Sequence, residues 1–457
     1  MFPLVFLHSA MRRRAWLLVA VLGAAACVAA AQAPPPTAYD ATFARFLPPI
    51  FRVVLMTALC ILGFGVDMQV LAYWGMNPWG ASSRPPGAHL PLTHEHEGHS
   101  LPEAAHRSGA DTLYLLAVCH VAWATVCWLF YRANTDPATG ARTLYAQAWE
   151  AATILGLIAL WLAPGPFRPL LRAWLHTLQR LATPSLRQTI AFSDVIAADV
   201  LTSFAKVLGD VWLSLVVLVY LFAGQRLDDR ELWRAEMHLA VPALISVPYV
   251  VRLRQCLCEY STSRTHPTRS TRPLYNALKY MSALPVIWLR SAAAPPSRAV
   301  ELLWYVSVLV NTLFSFWWDV TNDWGLDLLH LPSFRAMLQQ PRARLPPLHR
   351  RTPSDASDDG VALMQRHGAH ARQPSVLRAP EKPLPLPTSV YWVLLAVNLV
   401  LRFTWSVKLS SHWQYLLEWQ RGLLLFEALE LVRRSIWVLL RVEWEHVRTT
   451  SSFYRPT

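Results

Sequence analysis

From about residue 50 onward, the chain alternates apolar runs of roughly membrane-spanning length with polar loops. The runs lie near 50–75, 112–132, 148–165, 189–207, 210–224, 237–253, 274–290, 300–318, 389–407 and 423–441. A lipid interior offers no water to a bare peptide group, so segments that cross it singly must be helices. The expected fold is all-α, a polytopic transmembrane helical bundle of about ten spans. The run at 189–207 is the weakest, because Asp194, Asp199 and Lys206 interrupt it. Composition agrees: 54% of residues are hydrophobic and only 16% charged, against about 25% charged in a soluble domain. Many of the 21 tryptophans stand near the ends of runs, where interfacial rings sit.

The net charge of +13 comes almost entirely from arginine. A basic balance can mark nucleic-acid binding. Here the arginines occupy loops between apolar runs, where positive-inside orientation accounts for them, so no nucleic acid is expected. The richest loops are 254–273 (Arg254, Arg264, Arg269, Arg272) and 327–388. Two spans separate them, which puts both loops and the C-terminus in the cytosol. Counting backward, the segment before residue 50 is cytosolic too if all ten runs cross. Residues 12–33 argue otherwise, with Arg12 to Arg14, an apolar core and Ala31-Gln32-Ala33 resembling a secretory signal. Pro34 would hinder cleavage, but a cleaved signal would leave the next segment in the lumen. The organisation expected is a signal-like or anchor segment with linker over 1–48, a transmembrane domain over 49–447 and a C-terminal tail over 448–457.

Two loops are low in complexity. Residues 332–388 are rich in Pro, Arg and Ser and are expected to be disordered; Arg350-Arg351-Thr352-Pro353-Ser354, ahead of an acidic run, is a candidate phosphorylation site but reads more simply as solvated linker. Residues 82–107 hold His89, His94, His96, His99 and His106. That cluster can bind a divalent metal weakly, although incidental histidines in a loop are the simpler reading. The six cysteines lie in or beside apolar runs and form no secreted disulfide framework. Cys256-x-Cys258 is better explained by helix packing than by metal. No metal site and no cofactor is assigned.

Charges inside the runs carry the functional signal. Asp199, Lys279, Asp319, Arg402, Arg433 and Arg434 stand where apolar residues would be cheaper. At about 3 kcal/mol each, six such charges facing lipid would cost on the order of 18 kcal/mol. They must instead face one another or a polar cavity. Four are cations and two are anions, a surplus that suits an oxyanion held by arginine forks. Asp319 and Asp323 are spaced i, i+4, and so share a face if their helix continues. A structural ion-pair network is the competing reading. Glu430 stands four residues before Arg434, and pairing between them would leave Arg433 as the main ligand. No nucleophile or metal-ligand set accompanies Asp319 and Asp323, so the chain is not expected to be an enzyme.

Several blocks resemble the EXS domain, shared by phosphate exporters of the xenotropic and polytropic retrovirus receptor type and a yeast Golgi protein known for defective endoplasmic-reticulum retention. They are Pro248 to Tyr260 with Leu274 to Tyr280, Trp318-Asp319 to Asp323-Trp324-Gly325-Leu326, Asn398 to Arg402 and Trp405, and Glu427 through Arg433-Arg434 and Trp437 to His446. They cover an EXS-like core over 190–447 in family order. Departures occur at Cys258 or Glu259, where the family usually has a basic residue, and at Leu278, where it has a small one. The resemblance implies a transporter of inorganic phosphate with Asp199, Thr202, Lys279, Asp319, Arg402, Trp405, Arg433 and Arg434 along the path. Arg269 and Asp323 would lie toward its mouth. The exporters carry an SPX domain, whereas the roughly 50 residues ahead of the first span are too few for one. The architecture expected is that of the Golgi branch, which returns luminal phosphate released by glycosylation and affects glycosyltransferase retention. The partners implied are inorganic phosphate, the lipid bilayer, and glycosyltransferases or coat proteins, with a homodimer compatible. A membrane adaptor without transport activity is the alternative function, and the plasma membrane the alternative location.

Overall fold

The computed structural model describes residues 41–76, 100–136, 142–183, 190–228, 232, 235, 238–263, 270–290, 297–327, 377–378, 384–403 and 420–453. Every regular element among them is helical: α1 (Ala41–Phe46), α2 (Pro49–Tyr73), α3 (Ser100–Ala133), α4 (Leu144–Leu162), α5 (Arg168–Ala182), α6 (Phe192–Ser203), α7 (Ala205–Phe222), α8 (Ala240–Ser263), α9 (Arg272–Met281), α10 (Ala283–Arg290), α11 (Arg298–Trp318), which runs into a π-helical turn at Asp319–Asp323, α12 (Thr388–Arg402) and α13 (Gln420–Phe453). Local chemistry marks the starts. Thr143 caps α4 by accepting from the Ala146 amide, Ser297 caps α11 through the Val300 amide, and α2, α5 and α9 begin on prolines, where a missing amide costs nothing.

Each of the ten apolar runs falls on a helix, and the class is as expected. Among the described residues six helices are long and apolar enough to cross a membrane: Pro49–Tyr73, Gly109–Ala133, Leu144–Leu162, Ala205–Phe222, Ala240–Ser263 and Arg298–Asp323. The other runs are broken, short or charged. The runs at 189–207 and 210–224 become α6 and α7, separated only by Phe204, and the run at 274–290 becomes α9 and α10, separated by Ser282. Amphipathic α5 belongs to none of the runs.

Contacts fix the directions. Met56 packs with Leu431, Ser435 donates to Asp67 Oδ1 at 2.7 Å, and Leu71 clusters with Val438 to Val442, so α2 and α13 run parallel. Trp128 reaches the Phe46 carbonyl while Tyr114 reaches Gln69, so α3 returns against α2. Trp161 meets His120 and Trp149 stacks on Phe130, so α4 reverses again. Phe192 meets Arg441 while Ser203 meets Glu430, so α6 runs against α13, and α7 continues it past Val207 to Asp210 beside Arg52. Next, α8 opposes α6–α7, α9–α10 opposes α8 (Tyr280 on Arg252, Trp288 on Ser246), α11 opposes α9–α10 (Trp304 on Val286, Arg272 on Asn322), and α12 opposes α13 (Tyr391 on Glu443, Asn398 on Arg433).

The described chain therefore makes nine passes, with α6–α7 and α9–α10 each one broken pass. The described helix ends that flank 264–269 and 328–376 share one face with the end of α13, as the arginine pattern requires. Residue 49 lies on the opposite face. That corrects the placement of the segment before 50 beside the C-terminus, which assumed that 189–207 and 210–224 cross separately. The signal-like segment over 1–40, most of the 332–388 loop and the His-rich stretch lie outside the described residues, apart from the backbone of α3 from Ser100.

Just after the π turn, Gly325 adopts a left-handed φ of 59°, and a Cβ there would stand 2.4 Å from Trp444. Backbone and packing both demand glycine at this position. Gly325→Ala is expected to destabilise the protein by about 1–3 kcal/mol, read as an earlier melting transition in detergent by size-exclusion fluorescence.

Candidate functional site

The side chains of the proposed path gather where helices are interrupted. The α6–α7 break at Phe204, the α9–α10 break at Ser282, the π turn at Asp319–Asp323 and the end of α12 at Phe403 surround one region of the bundle. Interrupted helices free backbone groups and bring polar side chains to mid-bundle depth, the usual setting of a binding site in a helical transporter.

Asp319 is the hub, and only 1% of it is exposed. Arg402 donates to its Oδ2 through both Nε, at 3.1 Å, and Nη2. Arg433 Nη1 stands 3.6 Å from the same oxygen, and Lys279 Nζ 3.9 Å from Oδ1. One carboxylate from α11 thus faces cations from α9, α12 and α13. Its Oδ1 accepts no hydrogen bond among the described residues, which leaves an acceptor lone pair at the centre of the cluster. The π turn keeps Asp323 toward the same lysine, at 3.6 Å, and 3.8 Å from Arg441 Nε.

The adjacent arginines of α13 diverge. Arg433 forks onto Glu430 at 2.8 and 2.6 Å and reaches Asn398 Oδ1 at 3.3 Å. Arg434 donates to Ser203 Oγ at 2.8 Å and Thr202 Oγ1 at 3.0 Å, and its guanidinium lies over the Trp437 ring. Glu430 Oε1 is 3.9 Å from Arg434, and it accepts from Ser203 Oγ at 2.8 Å. Glu430 thus pairs with both arginines, closely with Arg433 at i, i+3 and at a longer 3.9 Å with Arg434 at i, i+4. Arg434 is held by neutral hydroxyls and keeps 9% exposure against 2% for Arg433. A cation bound by hydroxyls exchanges partners more cheaply than one forked onto a carboxylate, which makes Arg434 the freer anion ligand.

Asp199 belongs to an adjoining layer. Its Oδ1 accepts from Arg252 Nε at 2.9 Å and from Tyr280 OH at 2.5 Å. Arg252 also donates to Gln255, whose amide binds the Asp194 carbonyl. Thr202, which bonds the Asp199 carbonyl at 2.7 Å while accepting from Arg434, joins the two layers. The structure thus brings together Asp199, Thr202, Lys279, Asp319, Asp323, Arg402, Arg433 and Arg434. Trp405 and Arg269 lie outside the described residues.

Arg252, Tyr280, Ser203, Asn398 and Glu430 also belong to the cluster. Arg252 sat within an apolar run and carried its own signal as a charge there, but the charge count passed over it. Arg252 and Glu430 add one charge of each sign and leave the surplus at two, and Asp323 is shared between Lys279 and Arg441. Cys256 packs against Ala277 and Tyr280 in an apolar cluster, which favours the packing reading of Cys256-x-Cys258. Among the described residues no group of His, Cys, Asp and Glu is arranged to hold a metal ion. Forked arginines, a lysine and hydroxyls at helix breaks can bind a tetrahedral oxyanion, with the carboxylates tempering cation repulsion while the site is empty.

Comparison with known proteins gives the family context. The EXS family model matches residues 47–447. Protein ERD1 homolog 1 of Schizosaccharomyces pombe is 29% identical over 267 residues, covering 58% of this chain and 60% of that protein. Protein ERD1 of Saccharomyces cerevisiae is 27% identical over 271 residues, 57% of this chain and 56% of that protein. Phosphate transporter PHO1 homolog 8 of Arabidopsis thaliana is 26% identical over 208 residues, 45% of this chain and 21% of that protein. The matches span about three fifths of the length of the two ERD1 proteins.

Arg252→Gln is expected to cost about 3–5 kcal/mol, because it strands a buried carboxylate. Asp199→Asn in the same chain is expected to recover much of that loss. A double-mutant cycle on thermal unfolding in detergent checks the coupling.

Proposed function

The chain belongs to the EXS family, and from that premise we propose that it carries inorganic phosphate across an endomembrane, from the Golgi lumen to the cytosol. The transport supports glycosylation and, through it, glycosyltransferase retention. The observation that carries this reading is Arg434: a buried guanidinium at a set of helix breaks, hydrogen-bonded to two hydroxyls, with the Glu430 carboxylate farther off at 3.9 Å. Phosphate displaces Ser203 and Thr202 from Arg434 at modest cost and recruits Lys279 beside it. Arg402 and Arg433 stay clamped to Asp319 and Glu430 and supply field more than direct bonds. Binding must remain weak enough for release, and the four carboxylates keep it so. The relatives' names support the chemistry, since one of them is a phosphate transporter.

The site separates two kinds of loss. Arg434→Ala is expected to bring phosphate uptake by proteoliposomes to background while the protein keeps its elution profile and melting temperature within a few degrees. Arg433→Ala is expected to destabilise the fold as well, because it leaves Glu430 and Asp319 undercompensated. Uptake by Arg434→Ala equal to wild type sinks the assignment.

The adaptor reading, retention of glycosyltransferases without transport, rests on the 327–388 loop. Its described piece, Leu377–Arg378, is locked into the bundle: Arg378 donates to Glu443 at 2.8 and 3.1 Å and to the Trp324 and Gly325 carbonyls. Deleting residues 332–376 spares that anchor. Phosphate uptake is expected to survive the deletion; retention lost with uptake intact would assign the retention role to the loop.

A further inference from the structure

Helix α5 is too short and too polar to cross a bilayer, yet protein covers its apolar side only in part: Leu181 is buried and Leu170 and Leu171 half-buried, while Trp174, Leu175 and Leu178 are exposed. Its sequence, Arg-Pro-Leu-Leu-Arg-Ala-Trp-Leu-His-Thr-Leu-Gln-Arg-Leu-Ala, places Leu171, Leu175 and Leu178 along one face, flanked by Leu170, Trp174 and Leu181. Arg168, Arg172, His176, Gln179 and Arg180 share the other face, and the helix contains no acidic residue. Phe167 and Leu181 are buried and fasten the two ends of α5 to the bundle, but Leu175 is 55% exposed, Leu178 41% and Trp174 38%. In water, leaving such leucines uncovered forfeits roughly 1.5–3 kcal/mol each.

Two observations locate this face. Only five residues separate it from the end of α4 at Leu162, so it follows closely on a spanning helix. Its far end is tied to the arginine-rich face, where Arg180 forks onto Asp194 of α6 at 3.0 and 2.5 Å and Arg254 donates to the Arg180 carbonyl. A helix fastened at that level, with leucines and a tryptophan on one side and arginines on the other, has the make-up of a segment lying in the headgroup layer. Exposed Arg168 and Arg172 add a charge that complements anionic lipid.

We propose that α5 lies flat in the headgroup layer of the leaflet at the arginine-rich face, with Leu171, Leu175 and Leu178 among the acyl chains and Arg168 and Arg172 binding the phosphates of anionic lipids. Photo-cross-linking of the full-length protein in proteoliposomes tests this. Acyl-chain diazirine probes of phosphatidylserine and of phosphatidylcholine are compared, and labelled peptides are mapped by mass spectrometry. The expected result is labelling within 168–182 that favours the phosphatidylserine probe, by up to roughly fivefold per arginine. In Arg168→Gln/Arg172→Gln that preference falls toward parity while labelling of α3 is unchanged, which shows that the variant is folded. Three results would overturn the proposal: an unlabelled α5 beside a labelled α3, equal labelling of wild type by the two probes, or an undiminished preference in the variant. The readout is lipid contact alone, so it is independent of phosphate flux.

Discussion

One buried carboxylate organises the centre of this protein. Asp319 faces Arg402, Arg433 and Lys279 from three other helices and offsets part of the cost of burying those charges in an apolar bundle. The other features of the site follow from accommodating that hub. The π turn presents Asp319 and Asp323 to the same lysine. Glu430 takes the part of Arg433 that Asp319 does not reach. Arg434, one residue on, is then left to Ser203 and Thr202 at the break between α6 and α7. The adjacent arginines of α13 therefore face different partners, Arg433 mainly carboxylates and Arg434 mainly hydroxyls.

The helix interruptions and the polar side chains lie close together. The interruptions at Phe204 and Ser282 are single residues whose amides still donate to the carbonyls of Val200 and Leu278, and they stand close in sequence to Thr202, Ser203, Lys279 and Tyr280. A second charged layer, Asp199 with Arg252 and Tyr280, borders the first through Thr202 and the Lys279–Tyr280 pair. Beyond it, Gln255 and Asp194 continue the polar contacts to Arg180 on α5, so the site connects to the arginine-rich face through hydrogen bonds.

Much of this was legible in the residues because lipid is a simple solvent. Apolar length alone gave the helices, and the cost of buried charge picked out Asp319, Lys279, Arg402, Arg433 and Arg434 before any geometry. What the residues did not reveal depends on rotamers and on helix direction. Sequence spacing allows Glu430 to meet either arginine; it meets both, and only the orientation of Arg434 toward α6 gives Arg433 the closer, hydrogen-bonded share. Arg252 stood in plain sight within an apolar run, but its role became visible only when Asp199 was found to be its partner. Two runs merged into one pass: Asp194, Asp199 and Lys206 marked 189–207 as the weakest run, but charges within a run do not say whether the chain turns or continues, and the single pass reversed the side on which residue 49 lies. Arg378 lay in a stretch read as linker, yet it is fully buried against Glu443, Trp324 and Trp444.

The central claim is that Arg434, not Arg433, is the cation kept available for the anion. Equilibrium binding of radiolabelled phosphate to purified protein in detergent, by scintillation proximity, tests it most directly. The account predicts saturable binding to wild type and affinity weakened about tenfold or more by Arg434→Ala, the scale of one lost charge-assisted hydrogen-bonded contact. Saturable binding of unchanged affinity in Arg434→Ala would contradict it.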